Sequence, residues 1–234
     1  FITHNRRGTN VQAYGDWDKK VHYQVAVGDA TYSGKLADAK GKKDGDIDKQ
    51  TFFHGGKIVL SPFDGWEETQ RTETYMGEGK HFDIGAGYWA VNSIKVVDDT
   101  TGATRGDLKN ELINLEMSAH YKGLFVQAEY FKMKDVAATF NAPTLNTGTS
   151  TGWYATSEYV IPELAYLAPF VRYEKWDRFD DLDGYDYTAK IAGVNWYLRG
   201  NTTKVGLYVQ KEEEGEALGG DDITTVRLTS QWFF

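Results

Sequence analysis

The stretch ITTVRLTSQWFF, residues 223–234, decides the fold. Counting back from Phe234 in steps of two gives Trp232, Ser230, Leu228 and Val226, while the offset set is Phe233, Gln231, Thr229, Arg227 and Thr225. One set is mostly apolar and the other mostly polar, the period-two signature of a strand whose two faces meet different environments. A soluble protein rarely leaves such a strand as an unprotected terminus. In a membrane barrel the apolar face meets lipid and the polar face a wet lumen, so no second sheet is needed.

Composition points the same way. Aromatic residues make up 15% of the chain, with 15 Tyr and 7 Trp, while mean hydropathy is −0.54. Amphipathic aromatics suit a boundary between apolar and wet surroundings better than a dry interior. No apolar run approaches the ~18–20 residues that a membrane helix needs. A membrane protein of this composition is therefore a barrel, because only helices and closed barrels satisfy their backbone in lipid. Cysteine is absent, which removes disulfides and thiolate metal sites, and a net charge of −8 argues against a nucleic-acid surface. The chain opens on FITHNRRG, without the pattern of a signal peptide, and the expectation is that an N-terminal segment precedes it.

Outward from the terminal stretch, alternating segments recur at 9–16, 21–29, 51–61, 81–93, 112–121, 124–133, 153–161, 168–176, 187–198 and 204–211. With 223–234 they make eleven expected strands. Between them, tight polar turns such as Trp17-Asp18-Lys19-Lys20 and Lys122-Gly123 alternate with longer polar loops at 30–50, 95–110, 137–151, 177–186 and 212–222. The connection 62–80 departs from this alternation. In outer-membrane barrels short turns lie on the periplasmic side and long loops outside, and strand number is normally even. An odd count therefore leads to the expectation of further strands before Phe1.

The strands GDWDKKVHYQVAVGDA, LSPFDGW, FVQAEYF, PFVRYEKWD and AGVNWYLRGNTTKVGLYVQ resemble, in order, those of the phosphate-selective porin family of the O and P type. The resemblance runs from about Asn5 to Phe234 and covers the later part of the family domain. It implies a single all-β domain over 1–234, a transmembrane antiparallel up-and-down β-barrel with about 11 of sixteen strands present. It also implies a homotrimer in the bacterial outer membrane, in contact with the lipid bilayer and lipopolysaccharide. The function implied is a water-filled channel for passive diffusion of small hydrophilic solutes or ions, with anions such as phosphate among them. Trp232 and Phe234 resemble the terminal signal that barrel-assembly machinery reads.

Inward positions supply the permeation candidates. Arg172 and Arg227 look like family lumen arginines, with Lys57 a third cation. The same inferred faces carry Asp83, Glu116, Glu129, Glu158 and Glu174. Arg172 and Glu174 read either as a solute-facing charge pair or as a brace of the wall. Asp44-x-Asp46-x-Asp48 and Asp181-x-Asp183-Gly184 lack complete calcium-loop spacing and read as solvated loops, so no metal or other cofactor is expected. Ser118 and His120 share a face but stand about 6.6 Å apart along a strand, too far for a direct bond, so no catalytic residue is expected. Trp17, Trp66, Trp196 and Trp232 fall at the inferred periplasmic ends as girdle anchors, whereas inward Trp89 and Tyr154 could stack on sugars. A non-transporting barrel, serving as a structural sheath or an adhesin, is the alternative reading, and a soluble all-β binding protein is a third.

Overall fold

A computed structural model describes residues 10–29, 36–37, 43–63, 80–98, 100–139, 146–200 and 202–232. Side chains are described for the same residues except 36–37, 43–48, 135–139 and 146. The described chain is strand almost throughout: β1 (Asn10–Trp17), β2 (Val21–Gly28), β3 (Leu36–Ala37), β4 (Lys43–Gln50), β5 (Phe53–Leu60), β6 (Lys80–Val97), β7 (Thr104–Tyr121), β8 (Leu124–Thr139), β9 (Asn146–Tyr159), β10 (Leu167–Asp177), β11 (Asp186–Arg199), β12 (Thr203–Glu214) and β13 (Asp222–Trp232). Two single-turn 3-10 helices, Pro162–Leu164 and Glu216–Leu218, interrupt it. Among the described residues no helix is long and apolar enough to cross a membrane, which leaves strands out of account.

The strands form one antiparallel sheet in the order β1-β2-β5-β6-β7-β8-β9-β10-β11-β12-β13, each pairing with its neighbour in sequence except that β2 pairs with β5. β4 continues the line of β5, pairing with the far half of β6, and the two-residue β3 pairs with β4. Thr51 bridges the gap: its N–H donates to Ser93 O at 2.9 Å and its Oγ1 accepts from Ser93 N at 3.1 Å. The eleven-strand path coincides with the eleven segments read from alternation. It is an open sheet, with β1 and β13 as its edges, so the expected closure into a barrel is absent from the described chain.

Turn chemistry sets the meander. Lys122 and Gly123 take φ of 46° and 87°, and Asp18 and Lys19 take 54° and 53°. Positive φ at both central residues marks the type I′ turn, whose twist matches that of the flanking strands. The turns after β1, β7, β9 and β11 gather on one rim together with the end of β13, and the connections after β6, β10 and β12 lie on the other.

The loop expectations need correction. Residues 43–50 form β4 rather than part of a solvated loop, β6 runs on to Val97, β7 starts at Thr104, β8 reaches Thr139 and β9 starts at Asn146. Apolar alternation is short in these extensions, which mix Lys95, Asp107 and Lys109 with the buried Ile94, Val96 and Leu108, yet the backbone ladder persists. Polar contacts add to the ladder: Ser93 Oγ on β6 donates to Asp107 on β7 at 2.6 Å, and Glu111 is gripped by Lys109 of its own strand at 2.8 Å and by Lys134 of β8 at 3.2 Å.

Because directly paired residues point to the same side, the register defines two faces. One carries Val21, Tyr23, Val25 and Val27; Phe82, Ile84, Ala86 and Tyr88; Ile113, Leu115 and Met117; Val205, Leu207 and Val209; and Val226 and Leu228. These side chains are open: Leu228 is 75% exposed, Val226 68%, Val171 58% and Leu207 56%. Exposed aromatics border the band at the tight-turn rim, with Trp17, Tyr121, Tyr159, Trp196 and Trp232. Tyr88, Tyr130, Trp153 and Tyr173 form a second line, and Trp153 and Tyr173 lie 5.1 Å apart. Beyond it stand outward charges, Lys132, Lys175, Lys190, Lys211 and Glu213. The buried apolar clusters of the described residues are small: Val91, Ile94, Val96 and Leu108 with Phe53 beside them, and Val160, Ala168 and Tyr197.

Candidate functional site: the polar face

The other face carries nearly all the candidate residues, and the register sorts them into tiers. One tier runs across the sheet as Asp16, His22, Val59, Gly85, Glu116, Glu129, Tyr154, Glu174, Ala189, Glu212 and Ile223. Glu116 and Glu129 stand directly opposite one another across β7 and β8. Like charges so placed repel, so each needs a partner of its own.

Glu116 finds one two strands away. Lys57 Nζ on β5 reaches its Oε1 at 2.6 Å, passing over β6. Gly85 leaves the passage open, since a Cβ there would meet Glu116 Cγ and Oε1 at 3.0 Å and Val59 Cγ2 at 3.2 Å. Glu129 is held differently, by the side-chain amide of Asn114 and the hydroxyl of Tyr154. Arg172 donates to Glu174, two residues along the same strand, and its guanidinium lies 3.8 Å from the centre of the Tyr154 ring. The pair therefore ties β10 to β9 through the ring, a brace of the wall in geometry. Glu212 accepts from Tyr187 Oη at 2.9 Å and from the amide of Gln210. A third carboxylate, Glu158, takes the same kind of donors: Tyr197 Oη at 2.6 Å and Asn195 Nδ2 at 2.7 Å.

Arg227 occupies the tier of Tyr208, Gly193, Phe170 and Glu158 on the edge strand, exposed and without an ion pair among the described residues. Trp232 ends β13 on the apolar face, 58% exposed. Phe234, the terminal assembly residue, and Trp66 lie outside the described residues. Trp89 is on the polar face, 6.2 Å from Phe53. The structure thus brings Lys57, Glu116, Glu129, Arg172 and Glu174 into one connected patch, and leaves Arg227 apart.

Sequence reasoning missed a buried cluster near the tight-turn rim. Ser61 Oγ donates to Asp83 Oδ1, while His81 Nε2 meets Asp83 Oδ2, and the His81 and His120 rings stack at 5.3 Å. Ser61, His81, Asp83 and Ser118 are all buried. The carboxylate stands between serine and histidine, so the serine proton is committed to Asp83 rather than to an imidazole base, unlike a nucleophilic triad. The tyrosine and carboxamide partners of Glu129, Glu158 and Glu212 were missed as well. What the sequence did offer was the need for such partners at Glu129, since counting outward from the Lys122-Gly123 turn puts Glu116 opposite it.

In the connection after β6, Asp98 Oδ1 accepts from Thr101 N at 2.8 Å, Thr100 N at 3.0 Å and Thr101 Oγ1 at 3.0 Å. The Thr101 and Thr100 amides, the Thr101 hydroxyl and the nearby Arg105 hold its carboxyl below the ordinary value of 3.8. Asp44, Asp46 and Asp48 lie within β4 rather than a loop. Among the described residues no group of three or more His, Asp or Glu could hold a metal ion. No protein-family model matches the chain, and no curated protein matches its sequence.

Proposed function

We propose that the chain is a wall of an outer-membrane porin, a water-filled channel through which small hydrophilic solutes and ions diffuse passively. One observation carries the reading: a single sheet layer exposes a continuous apolar face on one side and a tiered polar network on the other. Soluble monomers rarely expose contiguous apolar patches beyond a few hundred Å². Lipid against the apolar face and water against the polar face remove that conflict without a second sheet. The aromatic lines at both borders of the band, the outward lysines beyond one of them and the meander of neighbouring strands suit the same setting. The resemblance to phosphate-selective porins adds the expectation of a sixteen-stranded, trimeric barrel whose long loops face outward from the cell.

In this reading the channel lowers the barrier to transfer by keeping solutes hydrated, and fixed charges on the polar face bias which ions enter. Lys57, Glu116, Glu129, Arg172, Glu174 and Arg227 are the charges in question. The test is planar-bilayer recording of the purified, folded full-length protein. Discrete conductance steps are expected, and their absence at any protein concentration would sink the proposal.

A further inference from the structure

The charges of the polar face differ in whether they are neutralised. Lys57 is committed to Glu116 and Arg172 to Glu174, so both cations that flank this tier are met by its carboxylates. Glu129 and Glu212 are bonded only by neutral donors, a tyrosine hydroxyl and a carboxamide in each case, with no ammonium or guanidinium in ion-pair contact. Such donors orient a carboxylate without cancelling its charge. The two are separated by β9, β10 and β11, about 19 Å at the spacing of paired strands, too far to form one ion site. They are separate fixed charges at one tier of the wall.

We propose that Glu129 and Glu212 are specificity-determining residues that bias this channel towards small cations, with Tyr154 and Asn114, and Tyr187 and Gln210, as their positioning residues. The inference rests on the channel reading and deepens it. It runs against the phosphate-like anions that the family resemblance implies, because the cations that would attract an anion at this tier are already occupied. Arg227 is the opposing charge, four residues along β13 from the partner of Glu212 and about 13 Å away along the strand.

The experiment is the reversal potential of the full-length protein in planar bilayers under a potassium chloride gradient, for the parent and for Glu129→Gln/Glu212→Gln. Two unit charges at pore distances, partly screened by salt, lead to a fall of about threefold in the potassium-to-chloride permeability ratio. Each single variant should carry part of that fall, so misassembly of one leaves the other informative, and Arg227→Gln should raise the ratio. The charge-neutral pair Lys190→Gln/Glu213→Gln, on the outward face, should leave it within about a third of the parent value. Conductance steps with an unchanged ratio in the glutamine variants overturn the inference alone. A shift as large in the charge-neutral pair overturns it too. A parent protein without steps overturns the channel reading and this inference with it.

Discussion

Leu207→Arg separates a lipid-facing sheet from a water-facing one. Leu207 points outward at the middle of β12, between Val205 and Val209, and pairs with Val194 and Leu228 on the adjacent strands. Thr203 and Lys211 lie four residues to either side, about 13 Å along the strand, and an arginine side chain spans only part of that distance towards a polar border. In lipid, arginine at the bilayer midplane of a barrel costs about 2–4 kcal/mol, roughly a 30- to 700-fold change in the folding equilibrium. In water the same exchange at a half-exposed leucine is a surface substitution worth no more than about 0.5 kcal/mol. Thr229→Arg is the control: Thr229 is exposed on the polar face, next to Leu228 in sequence. Reversible urea unfolding in lipid vesicles reads both, with Thr229→Arg expected within about 0.5 kcal/mol of the parent. A Leu207→Arg cost below about 0.5 kcal/mol, or equal costs for the two variants, would refute the assignment of the faces.

Tyr197→Phe removes the buried hydroxyl that bonds Glu158 and should cost about 1–3 kcal/mol in the same unfolding assay, with Asn195 remaining as a partial substitute. Gly85→Val puts a side chain in the path from Lys57 to Glu116. It should destabilise by about 1–3 kcal/mol, and Lys57→Met in the Gly85→Val background should then cost less than in the parent. Asp98 titrates below 3.8 because the folded turn donates hydrogen bonds to its charged form. A group with a depressed folded pKa contributes stability that is present above its unfolded value and lost as pH falls through the folded one. The Thr101 amide resonance should therefore shift with a midpoint below 3.8, whereas a midpoint at or above that value contradicts the turn geometry.

The eleven strands of the path were legible because outward apolar residues alternate with inward polar ones along each of them, as Val226 and Leu228 do with Arg227. Strand length was not. The extensions at 94–97 and 104–110 carry Lys95, Asp107 and Lys109, whose polarity resembles that of a loop although their backbones pair. β4 was hidden by the same effect, since KDGDIDKQ has no apolar period and its position depends on pairing with β6. The candidate charges were legible by face, from two-residue counting alone. Their partners were not, because Lys57 meets Glu116 over an intervening strand, and only the register of β5, β6 and β7 together brings them into reach. The Ser61, Asp83 and His81 cluster likewise joins residues on either side of the connection 62–79.

The central claim, that one face of a single sheet meets lipid and the other water, is open to direct measurement because the sequence contains no cysteine. Single cysteines placed in turn at 112–119 on β7 and carried into vesicles as fluorescent labels can be quenched from the bilayer by brominated lipid or from water by iodide. The account predicts quenching by brominated lipid at 113, 115, 117 and 119, and quenching by iodide, once the lumen is open to it, at 112, 114, 116 and 118. Uniform iodide quenching along the strand, with no response to brominated lipid at any position, would contradict it.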